Sequence, residues 1–474
     1  MRVHTARPRL RPRSPVAARA AEVRVLDAVV WRAGLAALGA VVALVVVSQF
    51  AAPASAADLE TPSTRAVAPP GDALQWPGWR GPHRTGEVAE SSPWPTDLQG
   101  LEQVWRVDAL GPSYSGPIVG AERIYITETR DEEDEIVTAY DRATGEVAWT
   151  ARWPGAMEVP FFAAKSGSWI RSTPAFDGDT LYVGGMLEVV VALDAATGAE
   201  RWRVDFPERF GTPRPPFGFV SSPLVDGEHL YVEAAGSLVK LDAATGDVVW
   251  RHEGFSSGEM TSEGTFSSPV LGELHGRRQL VVQTRQQLRG VDPIDGAILW
   301  SQDVPSFRGM NILTPTLWRD HIFTSTYRNA TYMYRVEPGE AGALRVAPAW
   351  QQKSQAYMSS PVVIDGIAYV HLGNGRMTAL DLADGTQHWT TKPFGDYWSM
   401  AYQGTRILAL DEGGELLLIE ASPDEFKLLD RRTVADSSTW AYLAVAGDLV
   451  VVRSLDALTV WRWRGGERPA VSTR

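Results

Sequence analysis

Two nearly identical stretches of eleven residues decide the fold of this chain. Residues 192–202 read "ALDAATGAERW", and residues 240–250 read "KLDAATGDVVW". Related phrases recur at intervals of about 40–50 residues along the chain. Each copy ends in a tryptophan: Trp149, Trp202, Trp250, Trp300, Trp350 and Trp389. A catalytic motif needs no such copies, so the phrase indicates a structural unit from which the chain is built.

A second phrase, such as "SSPLVDGEHLYV" from Ser221, interleaves with the first and starts eight times. Apolar residues alternate in short runs around an Asp-Gly pair, which is typical of a tight hairpin between half-buried strands. In the D-x-x-T-G phrase, glycine can take the left-handed conformation that closes a longer turn. Each unit therefore has four antiparallel strands, and the sequence predicts an all-β, eight-bladed β-propeller.

The two ends of the repeat region predict how the ring closes. The eighth unit shows three strands, whereas the stretch "LEQVWRV" at residues 101–107 has the pattern of a fourth strand. We expect this N-terminal strand to complete the last blade, which would leave no open sheet edge. The predicted domains are an N-terminal segment (1–57), a linker (58–100), the propeller (101–464) and a C-terminal tail (465–474).

The N-terminal segment is typical of an export signal. An arginine-rich stretch precedes an uncharged run at residues 33–47, and a small-residue cleavage pattern follows at residues 54–56. The same run could instead remain as a membrane anchor, which would then be the only membrane contact. In either case we expect a periplasmic or secreted protein.

Composition excludes several classes of function. The net charge is −12 although residues 1–57 are basic, so the body is acidic and we expect no nucleic-acid binding. There is no cysteine, which excludes disulfides, thiol catalysis and Cys-ligated metals. The acidic run "DEEDE" at residues 131–135 is interpreted as a solvated hairpin loop rather than a metal site.

The A-x-D-x-x-T-G-x-x-x-W phrase resembles the tryptophan-docking repeat of pyrroloquinoline quinone (PQQ)-like propellers. That superfamily includes eight-bladed quinoprotein dehydrogenases and cofactor-free relatives such as the BamB lipoprotein. The resemblance implies that the repeated tryptophan packs between neighbouring blades. The stretch "WPGWRGPHRTG" at residues 76–86 also resembles the W-x-x-W-R-G-P opening of secreted bacterial members.

Candidate binding residues lie where the first strand of each unit begins, because these starts converge near the axis of a propeller on one face. They are mostly aromatic: Tyr114, Trp169, Arg171, Phe219, Phe266, Asn311, Tyr357, Trp398 and Trp440. These residues could form either axial core packing or the floor of a ligand site. We predict no metal site and no catalytic residue.

Two connections, residues 150–170 and 204–220, are too long to be simple turns, and long loops in compact domains are often functional. They suggest a binding surface over the first three units, although the loops could equally fold down to cap the channel. The surface would contain Phe161, Phe162, Lys165, Trp169, Arg171, Phe210, Arg214, Phe217 and Phe219.

The sequence thus favours a monomeric, non-catalytic scaffold of the cell envelope that binds a protein partner or an extracellular polymer. One alternative is a quinoprotein dehydrogenase that uses PQQ with calcium to oxidise an alcohol or sugar. The adjacent cysteines found in such dehydrogenases are missing here. A second alternative is a carbohydrate-binding propeller, which exposed aromatic residues would equally suit.

Overall fold

The computed structural model of the chain describes residues 74–254 and 264–463. These residues form eight four-stranded antiparallel sheets, and in seven of them neighbouring strands follow one another along the chain. The prediction of an all-β, eight-bladed propeller is confirmed. Within the described residues, no helix is both long enough and apolar enough to cross a membrane. The predicted segment 1–57, the linker as far as residue 73 and the tail 465–474 lie outside the described residues.

The first four blades contain strands β2 to β17. Blade 1 has β2 (Ile118–Val119), β3 (Arg123–Arg130), β4 (Asp134–Asp141) and β5 (Val147–Pro154). Blade 2 has β6 (Ala175–Phe176), β7 (Thr180–Gly185), β8 (Val189–Asp194) and β9 (Glu200–Asp205). Blade 3 has β10 (Leu224–Asp226), β11 (His229–Ala234), β12 (Ser237–Asp242) and β13 (Val248–Glu253). Blade 4 has β14 (Val270–Leu274), β15 (Arg277–Gln283), β16 (Gln287–Val291) and β17 (Ile298–Asp303).

The last four blades contain strands β18 to β32 together with the N-terminal strand. Blade 5 has β18 (Thr316–Trp318), β19 (His321–Ser325), β20 (Thr331–Pro338) and β21 (Leu344–Gln352). Blade 6 has β22 (Val362–Ile364), β23 (Ile367–His371), β24 (Met377–Asp381) and β25 (Gln387–Thr390). Blade 7 has β26 (Trp398–Gln403), β27 (Arg406–Asp411), β28 (Glu415–Glu420) and β29 (Lys427–Thr433). Blade 8 has β30 (Ala444–Ala446), β31 (Leu449–Arg453), β32 (Leu458–Trp463) and β1 (Leu101–Val107).

Short helices interrupt some connections between the strands. The α-helix α1 (Phe206–Phe210) follows blade 2, and the carboxylate of Asp205 caps it by accepting a 2.9 Å hydrogen bond from the backbone N–H of Glu208. Among the described residues, 3₁₀ turns occur at Phe161–Ser166, Phe307–Gly309 and Glu340–Gly342.

The N-terminal strand closes the ring. Strand β1 pairs antiparallel with β32 from Leu101 opposite Trp463 to Val107 opposite Leu458. The last blade therefore combines the beginning and the end of the repeat region, as predicted. This pairing satisfies the outer edge of β32, which would otherwise be open.

The repeated aspartates act as turn caps. In blade 3, Asp242 Oδ1 accepts hydrogen bonds from the backbone N–H groups of Ala244 at 3.0 Å and Thr245 at 2.9 Å. The carbonyl of Asp242 also accepts from Gly246, whose φ of +74° is in the left-handed region that favours glycine. Equivalent bonds to the side chain are made at Asp141, Asp194, Asp292 and Asp381.

In most blades a repeated tryptophan packs against the next blade. Trp202, on β9 of blade 2, donates from Nε1 to the carbonyl of Ala243 in blade 3 at 3.0 Å. Its ring lies against the turn glycine, because a Cβ placed on Gly246 would lie 2.7 Å from Trp202 Cε3. The same packing pairs Trp105 with Gly145, Trp149 with Gly198, Trp250 with Gly296 and Trp350 with Gly385.

Trp389 and Trp300 vary this arrangement. Trp389 donates from Nε1 to the carbonyl of Ser422 in blade 7 at 2.9 Å. Trp300 instead donates to Gln279 Oε1 at 2.6 Å within its own blade. The hairpin between β20 and β21 in the next blade contains no D-x-x-T-G turn, so it lacks the glycine platform on which the other indoles pack.

The acidic run in blade 1 differs from the prediction of a solvated loop. Asp131, Glu132 and Glu133 form an exposed turn, but Asp134 and Glu135 begin β4 and are buried. Glu135 accepts hydrogen bonds from the backbone N–H of Met186 at 2.6 Å and from Trp153 Nε1 at 2.9 Å. Burial raises the pKa of Glu135 to about 7, against the effect of these two donors.

Candidate functional site at the channel mouth

The first strands begin at one end of the channel, and hydroxyl side chains link them. Ser222 Oγ accepts from the backbone N–H of Thr173 at 3.1 Å, and Ser268 Oγ accepts from Ser222 N–H at 2.9 Å. Thr314 Oγ1 accepts from Ser268 N–H at 3.0 Å. These Ser/Thr residues therefore link the first strands of blades 2 to 5 in succession around the axis. We call this end of the propeller the channel mouth.

A cavity of about 220 Å³ lies inside the channel mouth. Its wall combines large aromatic and sulfur-containing side chains with the hydroxyls described above. Six of the nine predicted channel-face residues line it: Tyr114, Arg171, Phe266, Tyr357, Trp398 and Trp440. The structure therefore brings residues from distant blades into one concave and largely apolar site.

The other three predicted channel-face residues lie outside the cavity wall. Trp169 packs edge-on against Tyr114, with ring centroids 5.2 Å apart. Phe219 is only 2% exposed and packs in the core between blades 2 and 3. The buried amide of Asn311 donates to the carbonyls of Thr284 and Arg285 at 3.2 Å. None of these three side chains lines the cavity.

Sequence reasoning missed several residues of the wall. Trp79, Met310, Tyr397 and Tyr442 line the cavity, together with Phe217, which the sequence had placed on the binding surface of the long connections. Trp79 belongs to the W-x-x-W-R-G-P stretch, so its distinctive motif was an available signal. The others lie in irregular connections or one residue away from a predicted position, where no repeat period fixes the direction of the side chain.

Aromatic rings form a continuous arc along one side of the channel mouth. Tyr114 and Trp440 are stacked at 4.5 Å between centroids, and Tyr397 lies 4.0 Å from Trp440. Tyr357 continues the arc at 6.0 Å from Tyr397, and Tyr327 follows 5.0 Å from Tyr357. The arc spans blades 1, 8, 7, 6 and 5. Such an edge offers a large contact area whose aromatic side chains have few rotatable bonds.

The stretch at residues 76–94 covers the opposite end of the first strands. Trp76 pairs with Val119 at the end of β2, and the backbone N–H of Val88 donates to the carbonyl of Tyr402 at 2.8 Å on β26. Trp79 reaches the cavity from this side and packs edge-on against Tyr442, with centroids 5.4 Å apart. The segment therefore closes the inner end of the cavity.

Two buried arginines anchor this segment inside the channel. Arg84 donates to the carbonyls of Pro269 at 2.8 Å and Ser222 at 3.0 Å, and also to that of Pro223. Arg80 donates to the carbonyl of Pro361. The planar guanidinium can satisfy several carbonyl groups at once, which a lysine could not do in the same geometry.

A buried carboxyl group lies near Arg84. Burial raises the pKa of Glu233 to about 8, although the charge of Arg84 acts against the shift. Burial also lowers the pKa of Arg84 to about 9, so the guanidinium stays protonated at neutral pH.

The two long connections form the outer rim of the channel mouth over blades 1 to 3. Phe161 and Phe162 are 92% and 63% exposed on the 3₁₀ turn after β5. Phe162 contacts Phe217 at 6.3 Å between centroids, and Phe217 contacts Phe266 at 5.5 Å. Lys165 and Arg214 are exposed on the same connections. Phe210, by contrast, packs beneath the guanidinium of Arg251 at 4.1 Å.

Arg171 is the cation of the cavity wall. It donates from Nε to the carbonyl of Trp169 at 3.1 Å and from Nη2 to that of Gly167 at 2.8 Å. Burial lowers its pKa to about 10, and Arg171 therefore remains charged at neutral pH. Burial raises the pKa of the neighbouring Tyr114 to about 12, so that ring is neutral. Across residues 74–254 and 264–463, no carboxylate lies within 4.0 Å of the Arg171 guanidinium.

The cavity matches a quinone cofactor only in part. Its aromatic rings could stack on a planar quinone, and Arg171 could pair with one carboxylate. A bound calcium ion would need several oxygen ligands. Among the described residues, no cluster of three His, Asp or Glu side chains is arranged to hold a metal ion. The described residues of this wall include no carboxylate that could ligate calcium beside such a quinone.

The closed ring, the D-x-x-T-G turns and the docked indoles together define a PQQ-like eight-bladed propeller. The model of one family, described as outer membrane protein assembly factor BamB, matches residues 99–167 and 133–391, which is more than half of the chain. The chain belongs to this family.

Curated relatives share sequence with this chain, and solved structures share its fold. BamB from Yersinia pestis is 24% identical over 295 residues, which is 57% of this chain and 70% of that protein. The crystal structure of BamB from Moraxella catarrhalis superposes with a TM-score of 0.55 at 16% identity, covering 77% of this chain and 100% of that one. A europium-containing methanol dehydrogenase has a TM-score of 0.51 at 13% identity, covering 82% and 98%. At these identities the two structures show the fold alone.

Proposed function

We propose that this protein is a non-catalytic, protein-binding propeller of the cell envelope, located in the periplasm or secreted, whose partner docks on the channel mouth. Family membership supports the general role, since the relatives are named as outer-membrane assembly factors. The observation that carries the proposal is the pair of exposed rings, Phe161 and Phe162, at the edge of the aromatic cavity.

Burial of these rings by a partner would be favourable. Burial of an apolar side chain contributes about 1.5–3 kcal/mol when the side chain is fully buried. Two neighbouring phenyl groups exposed to water do not gain this stabilisation until a partner covers them. Aromatic anchors of this kind dominate the binding energy of protein interfaces when a partner excludes water from them. Phe162 also contacts Phe217, so a docked partner would extend the apolar wall of the cavity without a gap.

The chemistry of the wall favours binding over catalysis. The described residues that line the cavity supply rings, hydroxyls, thioethers and one guanidinium, without a carboxylate or an imidazole. General acid–base catalysis depends on a group that titrates near the working pH, and His, Asp and Glu most often provide it. The hydroxyls of Ser222, Ser268 and Thr314 already accept hydrogen bonds between blades.

Site-specific photocrosslinking in intact cells tests the proposal. A crosslinking amino acid at Phe161 should give a discrete, reproducible protein adduct. The matched control is Ile294, which is 79% exposed on the turn between β16 and β17 at the opposite face. The proposal is wrong if both positions give the same adducts or if Phe161 gives none.

A ligand titration distinguishes the enzymatic alternative from the proposed binding function. A ligand that binds only the folded state stabilises it by about 2.7 kcal/mol at a hundred times its Kd. We expect PQQ with Ca²⁺ to leave the thermal midpoint of the purified protein unchanged. A clear rise in that midpoint, together with dye-linked oxidation of an alcohol or sugar, would instead support a dehydrogenase.

A further inference from the structure

A second cavity opens beside the first on the same face. This lateral cavity has a volume of about 540 Å³ and lies between blades 5 and 6. Tyr357 lines both cavities, so a single extended segment could pass from one to the other across this ring. The described residues in its wall include Arg328 and Lys353 and no carboxylate.

Two aromatic rings position the Arg328 side chain for contact with an external ligand. Its guanidinium lies 5.1 Å from the ring centroid of Tyr327 and 5.2 Å from that of Phe307. Stacking on two rings restricts the side chain while its N–H groups remain at the surface. Within the part of the chain that the structure describes, neither Arg328 nor Lys353 forms a salt bridge with an Asp or Glu. Both side chains are exposed.

Cations without a carboxylate partner at the channel mouth are notable in a chain that is acidic as a whole. The chain has an excess of acidic residues, with a net charge of −12. Arginines elsewhere are often paired, as Arg201 is with Asp179 and Asp194 at 2.7 Å. At the channel mouth, Arg171, Arg328 and Lys353 all lack such partners among the described residues. Cations left without a carboxylate around an aromatic cavity are complementary to an anionic ligand with an apolar anchor.

Two carboxylates lie beside the aromatic arc, because the pKa of Tyr397 is raised by burial and also by the charges of both Glu412 and Asp396. Glu412 accepts hydrogen bonds from Trp440 Nε1 at 2.9 Å and from the backbone N–H of Asp396 at 3.2 Å. These bonds hold Glu412 on the blade 7 side, away from the cations of blades 5 and 6. The positive part of the face is therefore the side bounded by Tyr357 and the lateral cavity.

Resting on the protein-binding function above, we propose that the channel mouth recognises an acidic segment of a partner protein with an aromatic anchor. The anchor enters the aromatic cavity, and carboxylates beside it pair with Arg328 and Lys353 across Tyr357. The salt bridges would lie at the rim, where they contribute orientation and rate of association more than affinity. Binding should therefore weaken as salt is added.

Fluorescence anisotropy with three labelled peptides tests this inference on the purified full-length chain. The probe is EEWEE, and the controls are EEAEE, which lacks the ring, and KKWKK, which reverses the charges. We expect EEWEE to bind more tightly than both controls and to lose affinity between 50 and 300 mM NaCl. Equal binding of KKWKK or EEAEE, or no binding of EEWEE, would overturn the inference.

Charge reversal in the protein provides the second arm. The double variant Arg328→Glu and Lys353→Glu should bind EEWEE about tenfold more weakly. The matched control is Arg319→Glu, because Arg319 is also exposed, lies 4.7 Å over the ring of Trp318 and has the same left-handed backbone. It lies on the hairpin between β18 and β19 at the opposite face, so its variant should bind normally.

The outcomes separate this inference from the general function. An adduct at Phe161 combined with unchanged peptide binding in the double variant overturns the acidic-partner inference alone. Loss of the Phe161 adduct as well overturns both proposals. Both charge variants alter exposed side chains, and an unchanged urea midpoint would show that the fold is retained.

Discussion

The packing of a tryptophan against the turn glycine of the next blade makes a quantitative prediction in blade 3. Gly246 has a φ of +74°, and its added Cβ would lie 2.7 Å from Trp202 Cε3. Gly227 in the same blade has a φ of +57°, but nothing lies within 4 Å of its added Cβ. The two glycines share the conformational requirement and differ in the indole.

The costs of the two alanine variants follow from this difference. A left-handed backbone costs a non-glycine residue about 1–2 kcal/mol, which applies to both Gly227→Ala and Gly246→Ala. Forcing a methyl group into a packed contact adds about 1–3 kcal/mol, which applies to Gly246→Ala only. The change in unfolded-state entropy is the same for both and cancels. Gly246→Ala should therefore be less stable than Gly227→Ala by about 1–3 kcal/mol.

Urea unfolding followed by tryptophan fluorescence and circular dichroism measures this difference. The cycle is completed in a Trp202→Leu background, where the ring is absent and the extra cost of Gly246→Ala should disappear. Equal stability of the two glycine variants would refute the reasoning. Persistence of the extra cost without the indole would refute it as well, since the clash would then have another source.

Three further predictions concern buried charge and the exposed rim. Because burial raises the pKa of Glu135 to about 7, its contribution to stability is full below pH 4.5 and is lost as the pH rises through 7, by about 3 kcal/mol. Glu135→Gln should therefore flatten the fall in urea midpoint between pH 5 and 8. Arg84→Ala leaves buried carbonyls without donors and should cost about 3 kcal/mol or more, whereas the exposed Arg214→Ala should cost under about 0.5 kcal/mol in the same assay. Replacing Phe161 and Phe162 by serine should leave the urea midpoint nearly unchanged but abolish partner crosslinking from a neighbouring probe at Lys165.

The repeat could be predicted from sequence because its determinants are local. An aspartate such as Asp194 caps the turn within three residues, and the hairpin dipeptides fix strand reversal without help from distant parts of the chain. Ring closure was also predictable, because a stretch with fourth-strand character preceded an incomplete last unit. Trp300 shows the limit: its indole position depends on the turn of the following blade.

The candidate site was harder to predict because it lies in the irregular connections. Phe217 lines the cavity whereas Phe219, two residues later, is buried between blades, and no period in this loop distinguishes them. Glu135 was missed for a different reason. Strands β3 and β4 have eight residues each, so the hairpin turn ends before Asp134, which charge composition alone cannot reveal.

The two faces of the propeller are under different constraints, and this difference explains where function can vary. At the face opposite the channel mouth, the indole of the preceding blade packs on each D-x-x-T-G loop, so a change there affects two blades at once. At the channel mouth, the Ser/Thr links hold the first strands, while the connections above them carry Phe161, Arg328 and Lys353 outside these links. Substitutions at these exposed positions should therefore alter partner choice with little effect on the fold. Insertions into the D-x-x-T-G turns should instead destabilise the ring, because they would separate an indole from its glycine.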